Sequence, residues 1–377
     1  MINFKEFIFA ISTPLASIFG SGFLVMVPIL VGAVGEYALY AMIGITLVAY
    51  SVGSVIRFNI KNIEPLLIKG MPKRTAWFEK ASGFSLILAY IVSVSLYLHI
   101  LSTFVLTGLG FDSDYHEDIL TTTIIAIITL IGMTKGLKPL EVLEKYALLI
   151  TLVIVALLIV AFGWYDFNLL YEGKGFIRPV ASSHTSWEIV GILAGMLIVV
   201  QGFETSRYLG ESYNAKTRIL TSKYSQIISA FVYIVFITLA IPVTHLLQGN
   251  YEDHSLIILV GFVSIILVTP LIIVAALSQF SAAVADTLAA TGSIEEIAKK
   301  YVSKNQSYML VGLSAIVITW SVHTLEILAL ASRAFALYYL LQTIVAISVS
   351  KSTVQKVFMS MLAFVLACIT LFAIPAG

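Results

Sequence analysis

The chain has 377 residues, of which 59% are hydrophobic and 11% charged, and its mean hydropathy is +0.99. Soluble domains are about a quarter charged, so this composition excludes a water-soluble globular protein and makes lipid the solvent. A net charge of +1 lacks the basic excess of a nucleic-acid binder. The one cysteine, Cys368, cannot form an internal disulfide and, set in an apolar run, reads as a small packed residue.

A helix needs about 20 apolar residues to cross a bilayer. In chain order, apolar runs fall at roughly 7–34, 37–57, 76–109, 119–134, 139–163, 187–210, 218–248, 254–291, 308–322, 324–349 and 355–375. The expected fold class is therefore an all-α membrane protein of about eleven transmembrane helices. The first run is too long for a cleaved signal peptide, and Pro14, Gly20, Gly22 and Pro28 interrupt it. It reads as a retained helix. Charge placement tests the count. With the N-terminus inside, Arg57, Lys61, Lys73, Lys135, Lys145, Lys216, Arg218 and most other bases fall on the cytoplasmic side. Only Lys174 and Arg178 fall outside, where Asp112, Asp114, Glu117, Asp118, Glu252 and Asp253 make the loops acidic.

Two spans carry helix breakers at mid-depth. The first has Ser17-Ile18-Phe19-Gly20-Ser21-Gly22-Phe23, and the sixth has Gln201-Gly202-Phe203-Glu204. Lipid tolerates irregular backbone only where it is buried in protein or lines a cavity. The two breaks lie five spans apart, and an odd offset inverts topology. That is the arrangement of two inverted five-helix repeats whose discontinuous helices meet at the midplane. The expected division is 1–163 for the first repeat, 187–349 for the second, and 350–377 for one additional helix.

At these residues the chain resembles the amino acid–polyamine–organocation (APC) transporters. Ile18-Phe19-Gly20-Ser21-Gly22-Phe23 is similar to their Gly-Ser-Gly first-helix motif. Gly202-Phe203-Glu204, followed by Gly210-Glu211 and Lys216-Thr217-Arg218, is similar to their sixth helix and the loop after it. Lys135-Gly136-Leu137-Lys138 before the fifth span and Asp286 through Gly292 at the end of the eighth also fit. The resemblance implies a LeuT-type five-plus-five fold with an extra helix. It also implies a substrate site in which Ser17, Gly20, Ser21 and Gly22 hold a carboxylate, while Ile198, Gln201, Gly202 and Phe203 surround it. Ile198 stands where several relatives carry a large aromatic. In LeuT-like proteins a tyrosine of the third helix closes over the substrate, and Tyr97 has that depth.

The resemblance further implies an ion site. In sodium-coupled relatives hydroxyls midway along the eighth helix join first-helix carbonyls, which points to Ser278 and Ser281; hard cations take such oxygen ligands. Proton-coupled relatives carry a fifth-helix lysine where this chain has Thr151, which favours sodium over the proton. Glu204 is an intramembrane carboxylate, either ion-coupling or hydrogen-bonded to nearby backbone. Asp286 is either a gate acid paired with Arg57 or Lys80, or a solvated helix end. Arg333, nine residues into the tenth span, needs an interior partner: Glu204, Asp286 or helix carbonyls in a structural role, or a gate or an acidic substrate.

The expected function is secondary active transport of a small amino acid or related organic carboxylate, coupled to sodium or protons. A divalent-metal or amine/nucleobase carrier on the same fold is the alternative, although the first span lacks the acid that metal-transporting relatives carry. No hydrolase, metalloprotease or nucleotide-binding motif is present, so neither an enzyme nor a cofactor is expected. The expected setting is a bacterial or archaeal plasma membrane, multi-pass with the N-terminus cytoplasmic, as a monomer or homodimer.

Overall fold

A computed structural model describes residues 4–20, 22–111, 113–137, 140–180, 183–298 and 301–376. Its α-helices are α1 (Phe4–Gly20), α2 (Met26–Val34), α3 (Ala38–Asn62), α4 (Glu64–Lys69), α5 (Lys73–Gly108), α6 (Asp114–Thr134), α7 (Glu141–Tyr171), α8 (Ser186–Gly195), α9 (Ala215–Ala240), α10 (Ser255–Val263), α11 (Val268–Ala298), α12 (Lys304–Thr319), α13 (Thr324–Val349) and α14 (Thr353–Phe372). No strand occurs among the described residues. The protein is all-α, and nine of its described helical stretches are long and apolar enough to cross a membrane. The two remaining runs form shorter helices. Of these, α1 ends where its run breaks, at Gly20, and α12 has 16 residues, a rise of about 24 Å.

Several helices start on a residue that satisfies otherwise orphaned amides. Thr185 with Glu188, and Ser303 with Gln306, form reciprocal capping boxes ahead of α8 and α12. Asn214 and Ser352 accept from the third amide of α9 and α14. The run expected at 254–291 divides in two. Ser264 is extended at φ −159°, separating α10 from α11, and Pro270 sits in the first turn of α11, where its missing N–H costs no hydrogen bond. Beyond that turn α11 continues to Ala298, because nothing in Ser293-Ile294-Glu295-Glu296 breaks a helix.

The third span, α5, lies at the centre, with 89% of its most apolar window buried. It packs against α11 on one side and α13 on the other. Its buried face includes Ser82, Ser85, Ser93, Ser95 and Ser102, small residues that let neighbouring backbones approach closely. Around α5, spans five apart in sequence touch: α3 packs on α9, α5 on α11, and α1 on the segment Phe203–Glu211.

Arginine–carboxylate pairs tie the elements together at the end where α1 starts. Arg218 at the start of α9 grips Glu64 of α4 with both guanidinium nitrogens, at 2.9 and 2.6 Å. Arg207 bonds Glu79 of α5 at 2.7 Å and Gln342 of α13. The fork geometry matches a carboxylate bidentately. Removing one partner leaves the other charge buried, at a cost of about 3–5 kcal/mol when burial is complete. Glu64 keeps 22% side-chain exposure, so Arg218→Ala is expected to cost about 2–3 kcal/mol, read as a drop in melting temperature of the purified protein. Glu64→Gln should cost less, since an amide still accepts from Arg218.

Candidate functional site

The first break is built by partners on other spans. At the end of α1 the backbone carbonyls lose their helical donors. Tyr233 of α9 donates its hydroxyl to the Ile18 carbonyl at 2.8 Å. Gln279 of α11 donates its amide to the Gly20 carbonyl at 2.9 Å. Residues 22–25 form a buried turn before α2. Both glycines are closely packed: a Cβ on Gly22 would lie 2.8 Å from Val199, which leaves it no room, and one on Gly20 would lie 3.1 Å from the Ala282 Cβ, a tight contact. Ser21 lies outside the described residues.

The second break follows α8. A 3₁₀ stretch, Met196–Val200, leads to Gln201 in extended conformation and to Gly202 at φ +122°, and a second stretch runs Phe203–Glu211. Ser332 of α13 spans this opening, donating to the Gly195 carbonyl and accepting from the Ile198 N–H at 3.0 Å. Glu204 is fully buried. Its Oε2 accepts from the Gly202 N–H at 2.9 Å and from the Tyr339 hydroxyl at 2.7 Å. The carboxylate thus caps its own segment, as the structural alternative requires, while Oε1 has no hydrogen-bond partner. Phe203 stacks on Tyr339, centroids 5.4 Å apart, and the Gln201 amide donates to the Tyr97 hydroxyl at 3.0 Å.

The two breaks meet. A Cβ on Gly202 would lie 2.6 Å from the Ser17 Oγ and 2.7 Å from the Ile18 nitrogen, so backbone packs on backbone where both helices are interrupted.

A cavity of about 710 Å³ starts at this junction. Ser17, Gly20, Tyr90, Ser278, Ser281 and Asp286 line its deep part, and it extends to Phe9, Lys145 and Glu296, where α1 begins and α11 ends. Gly22, Tyr97, Ile198, Gln201, Gly202, Phe203 and Glu204 are buried behind its wall. Sequence therefore assigned one region, and the structure divides it: Ser17 and Gly20 face the cavity, while the residues from the sixth span close it. A second cavity, of about 540 Å³, lies at the opposite end and is lined by His99, Glu117, Asp118, Asp253 and His254 among others. Along α5, Tyr90 belongs to the first cavity and His99 to the second, with Tyr97 buried between them.

The remaining expected residues take definite places. Ser278 donates to the Ala275 carbonyl at 3.2 Å, whereas the Ser281 hydroxyl has no partner. Asp286 accepts from Ser93 of α5, while Arg57 is held by Gln226 and lies over the Tyr50 ring. Arg333 donates Nε to the Ala373 carbonyl at 2.7 Å, which places a cation at the C-terminus of α14, where the helix dipole favours it. Arg333 is not on the cavity wall. Sequence reasoning passed over Gln279, Tyr233, Ser332 and Tyr339, which hold the breaks open. The one available signal was Gln279, an amide in an apolar run and thus expensive unless bonded.

Two interrupted membrane helices that meet at the head of a cavity carrying a few polar groups point to a membrane protein of the transport class. The comparisons are specific: a family model described as APC superfamily transporter matches residues 2–375, and the chain belongs to that family. It is also 38% identical over 369 residues to an uncharacterized protein of Aquifex aeolicus (strain VF5), covering 96% of this chain and 89% of that one.

Proposed function

We propose that this APC superfamily transporter is a secondary active carrier that moves a small amino acid or related organic carboxylate by ion-coupled alternating access. The observation that carries the reading is the junction of Ser17 with Gly202 at the head of the cavity. Ser17 and Gly20 at the end of α1 face the cavity there, and the cavity supplies a route to one side of the membrane. The contacts between spans five apart support a LeuT-type division into 1–163, 187–349 and 350–377, since a pseudo-two-fold axis pairs such spans. With the N-terminus cytoplasmic, as the distribution of lysine and arginine favours, the cavity faces the cytoplasm of a plasma-membrane protein. The buried Tyr97–Gln201 pair then belongs to the closed outer barrier. Ser281, with its unpartnered hydroxyl on the cavity wall, and Ser278 beside it are the oxygen donors for a coupling sodium ion, and Glu204 holds the sixth-span break beside them.

The test is the melting temperature of the purified protein across a panel of amino acids, each in sodium and in choline buffer. A ligand that binds the native state raises the melting temperature by mass action. The reading expects a shift with one amino acid class that is larger in sodium; shifts confined to nucleobases or divalent metals would overturn it. Ser281→Ala should weaken the sodium dependence by about 10-fold in half-saturating sodium, the scale of one lost oxygen ligand worth about 1.4 kcal/mol. Unchanged sodium dependence would remove α11 from the ion site.

A further inference from the structure

We infer that Asp286 is the subsite for a cationic group on the substrate, so that the carrier takes amino acids with a basic side chain. The inference rests on the proposed function and adds the substrate class to it. Four charged side chains line the cavity among the described residues: Asp286 in its deep part, Glu144 and Glu296 toward the mouth, and Lys145. Lys145 lies with its ammonium 4.8 Å from the centroid of the Phe9 ring, at the mouth rather than near the breaks. No cation of the deep wall is available to an acidic substrate, because Arg333 is bonded to Ala373 and stands off the wall. The titratable lining is therefore three carboxyl groups to one ammonium, a set that favours a cationic guest over an anionic one.

The surroundings of Asp286 fit a ligand rather than a closed structural pair. Its described side-chain hydrogen bond comes from a neutral hydroxyl, Ser93, and no basic residue pairs with it among the described ion pairs. In the same cavity, the hydroxyls of Tyr90, Thr151 and Ser281 are each at most 5% exposed and lack hydrogen-bond partners. A buried polar group left unpaired is costly, so three such hydroxyls in the cavity that also holds the carboxylate are donors and acceptors for a polar guest.

Spacing sets the length of that guest. Gly20 abuts Ala282 of α11, and Asp286 is four residues, one turn or about 6 Å, further along the same helix. A substrate whose backbone end sits at the α1 break reaches Asp286 with a side chain of about four carbons, the stem that carries a lysine ammonium. Arginine and ornithine fall in the same range.

The experiment compares matched ligands by thermal shift and competition: lysine against norleucine, arginine against citrulline, and glutamate, with putrescine as a cation that has no carboxylate. Wild type should bind lysine or arginine about 10- to 100-fold more tightly than the neutral partner, the range of a charge-assisted hydrogen bond, and should not bind glutamate. Asp286→Asn should remove that preference, so that lysine and arginine bind no more tightly than their neutral partners. Glu144→Gln should lower cation affinity by only a few-fold. If Asp286→Asn cannot be purified, the wild-type series still decides, because citrulline binding as well as arginine, or glutamate binding best, overturns the inference while the amino acid reading stands. Binding of putrescine but of no amino acid, lost in Asp286→Asn, would keep the cation subsite and overturn the carboxylate reading. An Asp286→Asn variant that keeps the wild-type preference for lysine over norleucine would also overturn the inference.

Discussion

Gly202→Ala should abolish uptake and lower the stability of the purified protein by about 2–4 kcal/mol. Two independent costs combine. Gly202 holds φ +122°, a conformation that penalises any residue with a Cβ by roughly 1–2 kcal/mol. The new methyl would also sit 2.6 Å from the Ser17 Oγ and 2.7 Å from backbone atoms of residues 17 and 18. Overpacking of this kind costs about 1–3 kcal/mol when neighbours can yield, and here two of the three nearest atoms are backbone. Relief comes only by separating the first and sixth spans, which pulls Ser17 from the cavity and strains the Glu204 cap on the Gly202 amide. A purified Gly202→Ala protein with wild-type melting temperature and uptake would show that the two breaks do not pack as described.

Gly20→Leu should eliminate uptake while leaving membrane insertion intact. Insertion depends on the hydrophobicity of the run, and leucine raises it. Transport depends on the space. Even a Cβ at this position lies 3.1 Å from the Ala282 Cβ, so a leucine side chain must enter the cavity or push α11 away from α1. The first outcome fills the region between Ser17, Ser278 and Ser281; the second breaks the Gln279 bond to the Gly20 carbonyl. Either way the proposed ion site between α1 and α11 is lost. Surface expression and proteoliposome uptake, measured side by side, separate these effects from misfolding, and normal uptake by the variant would remove Gly20 from the site.

The membrane class and the helical runs were legible in the sequence because hydrophobic length is a one-dimensional signal. The breaks were legible for a related reason, since glycine clusters and a carboxylate are conspicuous in apolar runs. What supports the breaks was not. Tyr233, Ser332 and Tyr339 look like ordinary span residues until tertiary packing brings them to Ile18, Ile198 and Glu204. Arg333 illustrates the same limit: a lone intramembrane arginine demands a partner, and helix carbonyls stood among the candidates with Glu204 and Asp286, but that the carbonyl is Ala373's, at the end of another helix, leaves no mark in a sequence. The division between residues on the cavity wall and those behind it is equally three-dimensional. Gln201 and Ser17 look like equal candidates along the chain, yet only Ser17 lines the cavity.

In the proposed function the junction of the broken first and sixth spans serves ion-driven transport. It is tested most directly by uptake of radiolabelled amino acids into proteoliposomes under an imposed sodium gradient, an imposed proton gradient, or neither. A coupled carrier accumulates substrate above the external concentration under one of the gradients, and accumulation collapses to equilibration when an ionophore dissipates it. Equilibration at the same rate with and without either gradient would contradict that function, and would leave the chain a passive conduit rather than a coupled carrier.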